Sequence, residues 1–295
     1  MPIKLGTCPD SWGIWFADDP RQISWSLCLD QMKLAGYDLI ELGPRGYLPT
    51  NHSTLSSELE KRSLHAAATY VMGPLETETH WPELHTEVVN TCQLLTKLNA
   101  GFLVLIDAPY TDLMSGKQVA PARLGESAWQ TLMQATHRIA EVAKHDFVLQ
   151  LVFHPHADTH VEYEEDIERF LKESDPSLVG LCLDTGHHAY RGGDPVTFLK
   201  RQRRRIPYLH LKSVDTQVIG EVNRQKMPFS TAVERGVFCE PAQGAIDFKA
   251  IRTVLRDSSF DGVCIVEQDQ YPADPSAPLP IAKRTLAYLR QVGFE

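Results

Sequence analysis

Val179-Gly180-Leu181-Cys182-Leu183-Asp184-Thr185-Gly186-His187-His188 is the stretch that decides the architecture. Its apolar run has the length of a strand buried on both faces, and it ends on an acid where such a strand emerges. Gly186 permits a tight turn, and His187 begins the loop above the strand. Three other apolar runs end in the same way: Phe153-His154-Pro155-His156, Tyr208-Leu209-His210-Leu211-Lys212 and Val263-Cys264-Ile265-Val266-Glu267. One such ending is unremarkable, since every buried strand meets water somewhere. Four of them gather neutral imidazoles and carboxylates, the ingredients of a divalent-metal site.

Outward from these runs, strand-like segments occupy 3–7, 38–42, 65–71, 102–106, 148–153, 179–184, 208–212 and 263–267. Helical spacing of apolar residues falls between them, at 23–35, 84–98, 128–143, 163–172, 195–204, 248–255 and 280–292. Alternating strand and helix signals mean parallel strands joined by crossovers. Eight such units fit a single (β/α)8 TIM barrel over residues 1–295, close to the usual size of about 250 residues. A doubly wound sheet is the rival, but no GxGxxG turn follows the first strand. A long insertion after the seventh strand, at 213–246, reads as a lid or a subunit contact.

The composition, 43% apolar and 23% charged, belongs to a globular chain, and its net charge of −9 argues against nucleic acid as the partner. Arg201, Arg203, Arg204 and Arg205 read as a solvated helix end rather than a phosphate-binding patch. There is no signal-peptide pattern, and no run approaches the roughly 20 apolar residues of a membrane span. Six cysteines without CxxC spacing read as reduced thiols, so a cytoplasmic location is expected.

Strand alternation places His154 with His156, Tyr208 with His210 and Lys212, and Ile265 with Glu267. Lys212 is either a solvated strand tip or a cation near a substrate oxygen. Glu41 closes the second strand as a candidate acid or base, and Asp107 closes the fourth as a substrate contact or a turn cap. Trp12, Trp15 and Phe16 follow the first strand and could form a sugar-stacking wall.

At these residues the chain resembles the sugar phosphate isomerase/epimerase superfamily, which shares the xylose isomerase-like barrel. Within it, the motifs are most like those of inosose (2-keto-myo-inositol) dehydratases and their relatives. The resemblance is carried by Cys8-Pro9-Asp10-Ser11-Trp12-Gly13, His154-Pro155-His156, Asp184-Thr185-Gly186-His187, His210-Leu211-Lys212 and Val266-Glu267-Gln268-Asp269. It implies one divalent cation, Mn²⁺, Co²⁺ or Mg²⁺, held by one ligand from each of the fifth to eighth strands. Position by position these are His154, Asp184, His210 and Glu267. Many superfamily members have a glutamate on the fifth strand, where this chain offers His154, His156 and, later, Glu162.

The implied chemistry is proton abstraction beside a carbonyl, through an enediolate, on a small keto-polyol or ketose. Lys212, Glu41 and His187 are the catalytic candidates; His156, Trp12 and Asp107 are the candidates for substrate contact. A lysine beside a metal ion should have a lowered pKa. Dehydration of a keto-polyol is the expected outcome, with ketose isomerisation or epimerisation as the alternative. A homo-oligomer is compatible with these features but not required by them.

Overall fold

The computed structural model describes residues 3–294. Eight parallel strands close into a barrel: β1 (Lys4–Thr7), β2 (Leu39–Glu41), β3 (His65–Gly73), β4 (Phe102–Asp107), β5 (Gln150–Phe153), β6 (Val179–Asp184), β7 (Tyr208–Leu211) and β10 (Val263–Val266). Each strand pairs with its neighbours in chain order, and β10 closes the ring against β1. All six residues of β6 are buried, which is why that run contains no alternation to read. The TIM barrel anticipated from the sequence is the fold.

Around the barrel lie α1 (Trp25–Ala35), α2 (His52–Glu60), α3 (Trp81–Lys97), α4 (Glu126–Glu141), α5 (Glu164–Glu173), α6 (Thr185–Tyr190), α7 (Pro195–Gln202), α10 (Phe248–Asp257) and α11 (Pro278–Gln291). Their ends follow local chemistry. Ser24 accepts a hydrogen bond from the Leu27 amide to start α1, and Gly36, at φ 104°, ends it in the left-handed conformation. The helix α2 has no counterpart in the sequence expectation. It buries only Leu55 and Leu59, too few residues to show a period, and is started by the Asn51 side chain.

The fifth strand also starts later than its apolar run. A five-residue π-helical turn, Val142–Asp146, extends α4, and Val148 then takes φ 58° with 87% of its surface exposed.

The insertion after β7 folds back on itself. Its strands β8 (Ser213–Val214) and β9 (Phe238–Cys239) pair antiparallel and enclose α8 (Thr216–Gln225) and α9 (Phe229–Glu234). This places Phe229 over the C-terminal end of the barrel, where the four polar strand endings emerge. The cysteines of the described residues are free thiols. No helix among the described residues is long and apolar enough to cross a membrane.

Candidate active site

Strand register brings the polar endings together. Asp184 and His210 are direct partners across β6 and β7, and His210 sits opposite Ile265 on β10. The Glu267 amide then donates to the Leu211 carbonyl, so its side chain arrives beside His210. Asp184 also begins α6, one carboxylate oxygen accepting from the Gly186 and His187 amides. Its other oxygen points inward. It lies 3.5 Å from His154 Nε2, 3.6 Å from His210 Nδ1 and 3.1 Å from Lys212 Nζ, yet has no aligned hydrogen bond.

His210 is the telling residue. Its Nε2 lies 3.1 Å from Glu41 Oε2, which also accepts from the Tyr208 hydroxyl at 2.8 Å. Its Nδ1 faces Glu267 Oε2 at 2.6 Å, so the ring lies between two carboxylate oxygens. Burial disfavours an imidazolium, but Cys182, Glu267, Glu41 and Asp184 outweigh it and hold His210 well above the usual histidine range.

His154 Nδ1, Asp184 Oδ2 and His210 Nδ1 are all buried without hydrogen-bond partners, a costly arrangement in a dry interior. Asp184, His210 and Glu267 bring ligand atoms within 4.8 Å of one another, as do His154, Asp184 and His187, and such mixed imidazole–carboxylate donors suit Mn²⁺ or Co²⁺. Glu162, the other acid considered for the fifth position, is committed elsewhere. It accepts from the Tyr110 hydroxyl at 2.5 Å, the Asp158 amide at 2.7 Å and Arg191 Nε at 2.5 Å.

A cavity of about 300 Å³ opens above this cluster. Glu41, His154, His156, His210 and Glu267 line it, as do Trp15 and Phe16. Trp15 stacks on Tyr271 at 4.7 Å and on Phe229 at 5.9 Å, forming an aromatic wall. Trp12 is not part of that wall. The segment Pro9–Trp12 coils as a 3₁₀ turn, which buries Trp12 to 1% exposure with its indole N–H on Gln31.

Asp107 is a second correction. It lies outside the cavity lining, accepting from the Leu75 amide and from both the amide and Nδ1 of His160, the last at 2.6 Å. His187 lies beneath the lining rather than on it, its ring centroid 4.0 Å from that of His156. Burial and the neighbouring His156 and Lys212 hold His187 well below the usual range; burial and His154 bring His156 down to about 3.

Lys212 is fully buried and bound by three acids: Asp269 at 2.6 Å, Glu267 at 2.7 Å and Asp184 at 3.1 Å. Burial opposes its charge, but Asp184, Asp269 and Glu267 prevail and hold it well above the ordinary lysine range. A lowered pKa is expected beside a bound cation; the three carboxylates alone act in the opposite direction. Gly186 also has a different purpose from a turn. The aliphatic stem of Lys212 occupies the space where a Cβ on residue 186 would sit.

Two cavity residues were missed as candidates. Asp269 shares the inward parity of Glu267, a signal present in the Val266–Asp269 motif. Burial raises its pKa to about 6 despite Lys212. Asp10 lines the cavity from the 3₁₀ turn, and burial with Glu267, Asp269 and Glu41 holds it well above the usual carboxylate range.

The xylose isomerase-like TIM barrel family matches residues 29–292. An inosose dehydratase of Clostridium perfringens is 29% identical, the alignment covering 98% of this chain and 97% of the relative. An inosose dehydratase of Bacillus anthracis is 30% identical over 92% of this chain and 91% of the relative. Among solved structures, the IolI protein with a bound zinc atom superposes with a TM-score of 0.73 at 17% identity, covering 97% of this chain and 98% of that one. The chain belongs to the xylose isomerase-like TIM barrel family.

Proposed function

We propose that this chain is a divalent-metal-dependent lyase that dehydrates a keto-polyol such as 2-keto-myo-inositol. The observation that carries the proposal is the buried cluster of Asp184, His210 and Glu267, whose ligand atoms lie within 4.8 Å of one another, with His154 Nε2 3.5 Å from Asp184 Oδ2 beside the cavity. The chain is an enzyme of the dehydratase or isomerase/epimerase kind. The full-length match to inosose dehydratases favours dehydration within that choice.

Cavity chemistry suits a polyhydroxylated substrate: Asp10, Glu41, Glu267 and Asp269 line it with carboxylates that can accept from substrate hydroxyls. The Trp15 wall offers the flat apolar face that ring C–H groups pack against.

When bound, the ion supplies Lewis-acid stabilisation of negative charge at a substrate carbonyl. His154, Asp184, His210 and Glu267 would hold it, and Glu41 orients His210 by accepting from Nε2. Lys212, clamped by its three acids, fixes the positions of Glu267 and Asp269 at the cavity edge.

The test is assay of metal-reconstituted protein against 2-keto-myo-inositol and a panel of ketoses, with products identified by NMR. The expected product is lighter than the keto-polyol by one water. An isomeric ketose formed with no water lost would replace dehydration with isomerisation or epimerisation at the same site.

A further inference from the structure

We propose that Leu113 sets the size limit of the substrate: clasped over the cavity, it confines the site to a single polyol ring and excludes one that bears a second ring. This rests on the cavity being the polyol site of the function proposed above, and not on the reaction carried out there.

The loop after β4 is a hairpin with no core of its own. Thr111 and Gln118 pair antiparallel, and the turn between them closes on Asp112. The Asp112 carboxylate accepts from the amide and the hydroxyl of Ser115, at 2.8 and 2.7 Å. Its carbonyl accepts from the Gly116 amide at 2.7 Å, and its amide donates to the Lys117 carbonyl at 2.8 Å. Residues 112–119 are exposed except Leu113, which is half-buried and lines the cavity.

This hairpin is fixed at both ends. At its root the Tyr110 amide donates to the Asp158 carbonyl at 2.7 Å, and the Thr111 hydroxyl donates to the Asp158 carboxylate at 2.6 Å. At its tip it meets the insertion. The Ser230 amide donates to the Leu113 carbonyl at 3.0 Å. That amide belongs to the first turn of α9, where it has no partner within the helix and is free to bond elsewhere. Gly116, at φ 69°, packs on Pro228 so closely that a Cβ would lie 3.2 Å from its Cγ. Two excursions from distant parts of the chain thus meet over the barrel mouth, and Leu113 is held there through its own carbonyl.

The polar strand ends floor the cavity, and Trp15, Phe16, Leu113 and Phe229 form its apolar rim. Phe229 is wedged among the rings of Trp15, His156, His187, Tyr190 and Phe238, so it cannot yield alone. Leu113 is the rim side chain that can be trimmed at least cost to the fold. A volume of about 300 Å³ sits at the low end of the roughly 300–1,000 Å³ of small-molecule sites, which suits one ring with its hydroxyls. A loose loop would swing aside for a larger ligand, whereas one bonded at root and tip resists. In an apolar pocket a single methylene shifts discrimination by about 10–200-fold, and Leu113→Ala strips the side chain to a methyl.

Calorimetric titration of Mn²⁺-loaded protein with myo-inositol and with its mono-O-α-galactoside tests the limit without requiring turnover. Wild type should bind myo-inositol at least about 10-fold more tightly than the galactoside. Leu113→Ala should shrink that ratio by about 10-fold, through tighter binding of the galactoside. Leu113→Met, which keeps the volume, should preserve the ratio, as should Met114→Ala, whose side chain is exposed and outside the lining. A wild type without the preference, an unchanged ratio in Leu113→Ala, or a ratio that shrinks only through loss of myo-inositol would overturn the size limit. A wild type that selects by size yet converts no keto-polyol or ketose would end the dehydratase reading and support the limit. A wild type that binds neither polyol would overturn the limit, while the NMR product assay decides the reaction separately.

Discussion

Two buried histidine–carboxylate clusters occupy the C-terminal end of the barrel, and they are finished in opposite ways. In one, Asp107 accepts three hydrogen bonds, and His160 spends both nitrogens, Nδ1 on Asp107 and Nε2 on the Pro121 carbonyl at 3.0 Å. In the other, Asp184, His210 and Glu267 bring ligand atoms within 4.8 Å of one another, yet Asp184 Oδ2 and His210 Nδ1 make no aligned hydrogen bond. Residue types and burial are alike in the two, and in both an acid ends a barrel strand, although His160 comes from the loop after β5. The difference lies in the bookkeeping of donors and acceptors: a structural cluster closes on itself, whereas a ligand set is left open for something else to close.

Removing the ion should break the open cluster most severely. Chelation should lower kcat by about 10³-fold or more, since a metal Lewis acid supplies several kcal/mol at the transition state. Re-addition of Mn²⁺ or Co²⁺ to the chelated protein should restore turnover. Full activity in metal-stripped buffer, with metal content verified as negligible, would end the metal reading.

Within that cluster, Lys212→Met should lower kcat by about 10²-fold while metal content is retained. The fixed ammonium neutralises three acids, and without it Glu267 and Asp269 lose their shared anchor. Glu41→Gln is expected to be milder. It weakens the carboxylate–histidine contact behind a ligand, which usually costs about 10–100-fold in metal affinity or activity. Metal titration of the variant separates the two contributions; an unchanged metal affinity with unchanged kcat would leave Glu41 structural.

The closed cluster should respond differently. Asp107→Asn leaves His160 as a buried charge with a poorer partner, and breaking a buried pair costs roughly 3 kcal/mol. Urea unfolding should register that loss while kcat of the metal-loaded variant changes little. A large fall in kcat with unchanged stability would return Asp107 to the substrate.

The contrast also explains what could be read in the chain beforehand. The barrel was legible because eight apolar runs alternate with helical spacing, and the ligand candidates because each ends such a run. Parity placed Tyr208, His210 and Lys212 together, and their contacts with Glu41 and Asp184 bear this out. Parity failed wherever the chain left the strand. Trp12 turned into the core because Pro9–Trp12 coils rather than extends, and Asp107 found its partner in His160, 53 residues away. Neither outcome has a local signal. Asp269 did have one, since it lies two residues beyond Glu267, but nothing local in the chain ties it to Lys212.

The smallest predicted effect tests the same contrast through pH. In the folded chain burial works against the charged form of His160, but the hydrogen bond and charge of Asp107, with Glu76, raise its pKa above the ordinary value. An unfolded histidine titrates near about 6.5. A group with a raised folded pKa adds stability that is fully present below the unfolded value and is lost as pH rises through the folded one. Unfolding free energy should therefore decline between about pH 6 and a pH above His160's raised value, and the decline should be shallower in Asp107→Asn, where the cause of the shift is gone. Comparing the two proteins, both metal-loaded, cancels the titration of the open cluster, including His210. Identical slopes would mean that Asp107 and His160 hold no protonated pair, and the closed cluster would lose the feature that sets it apart.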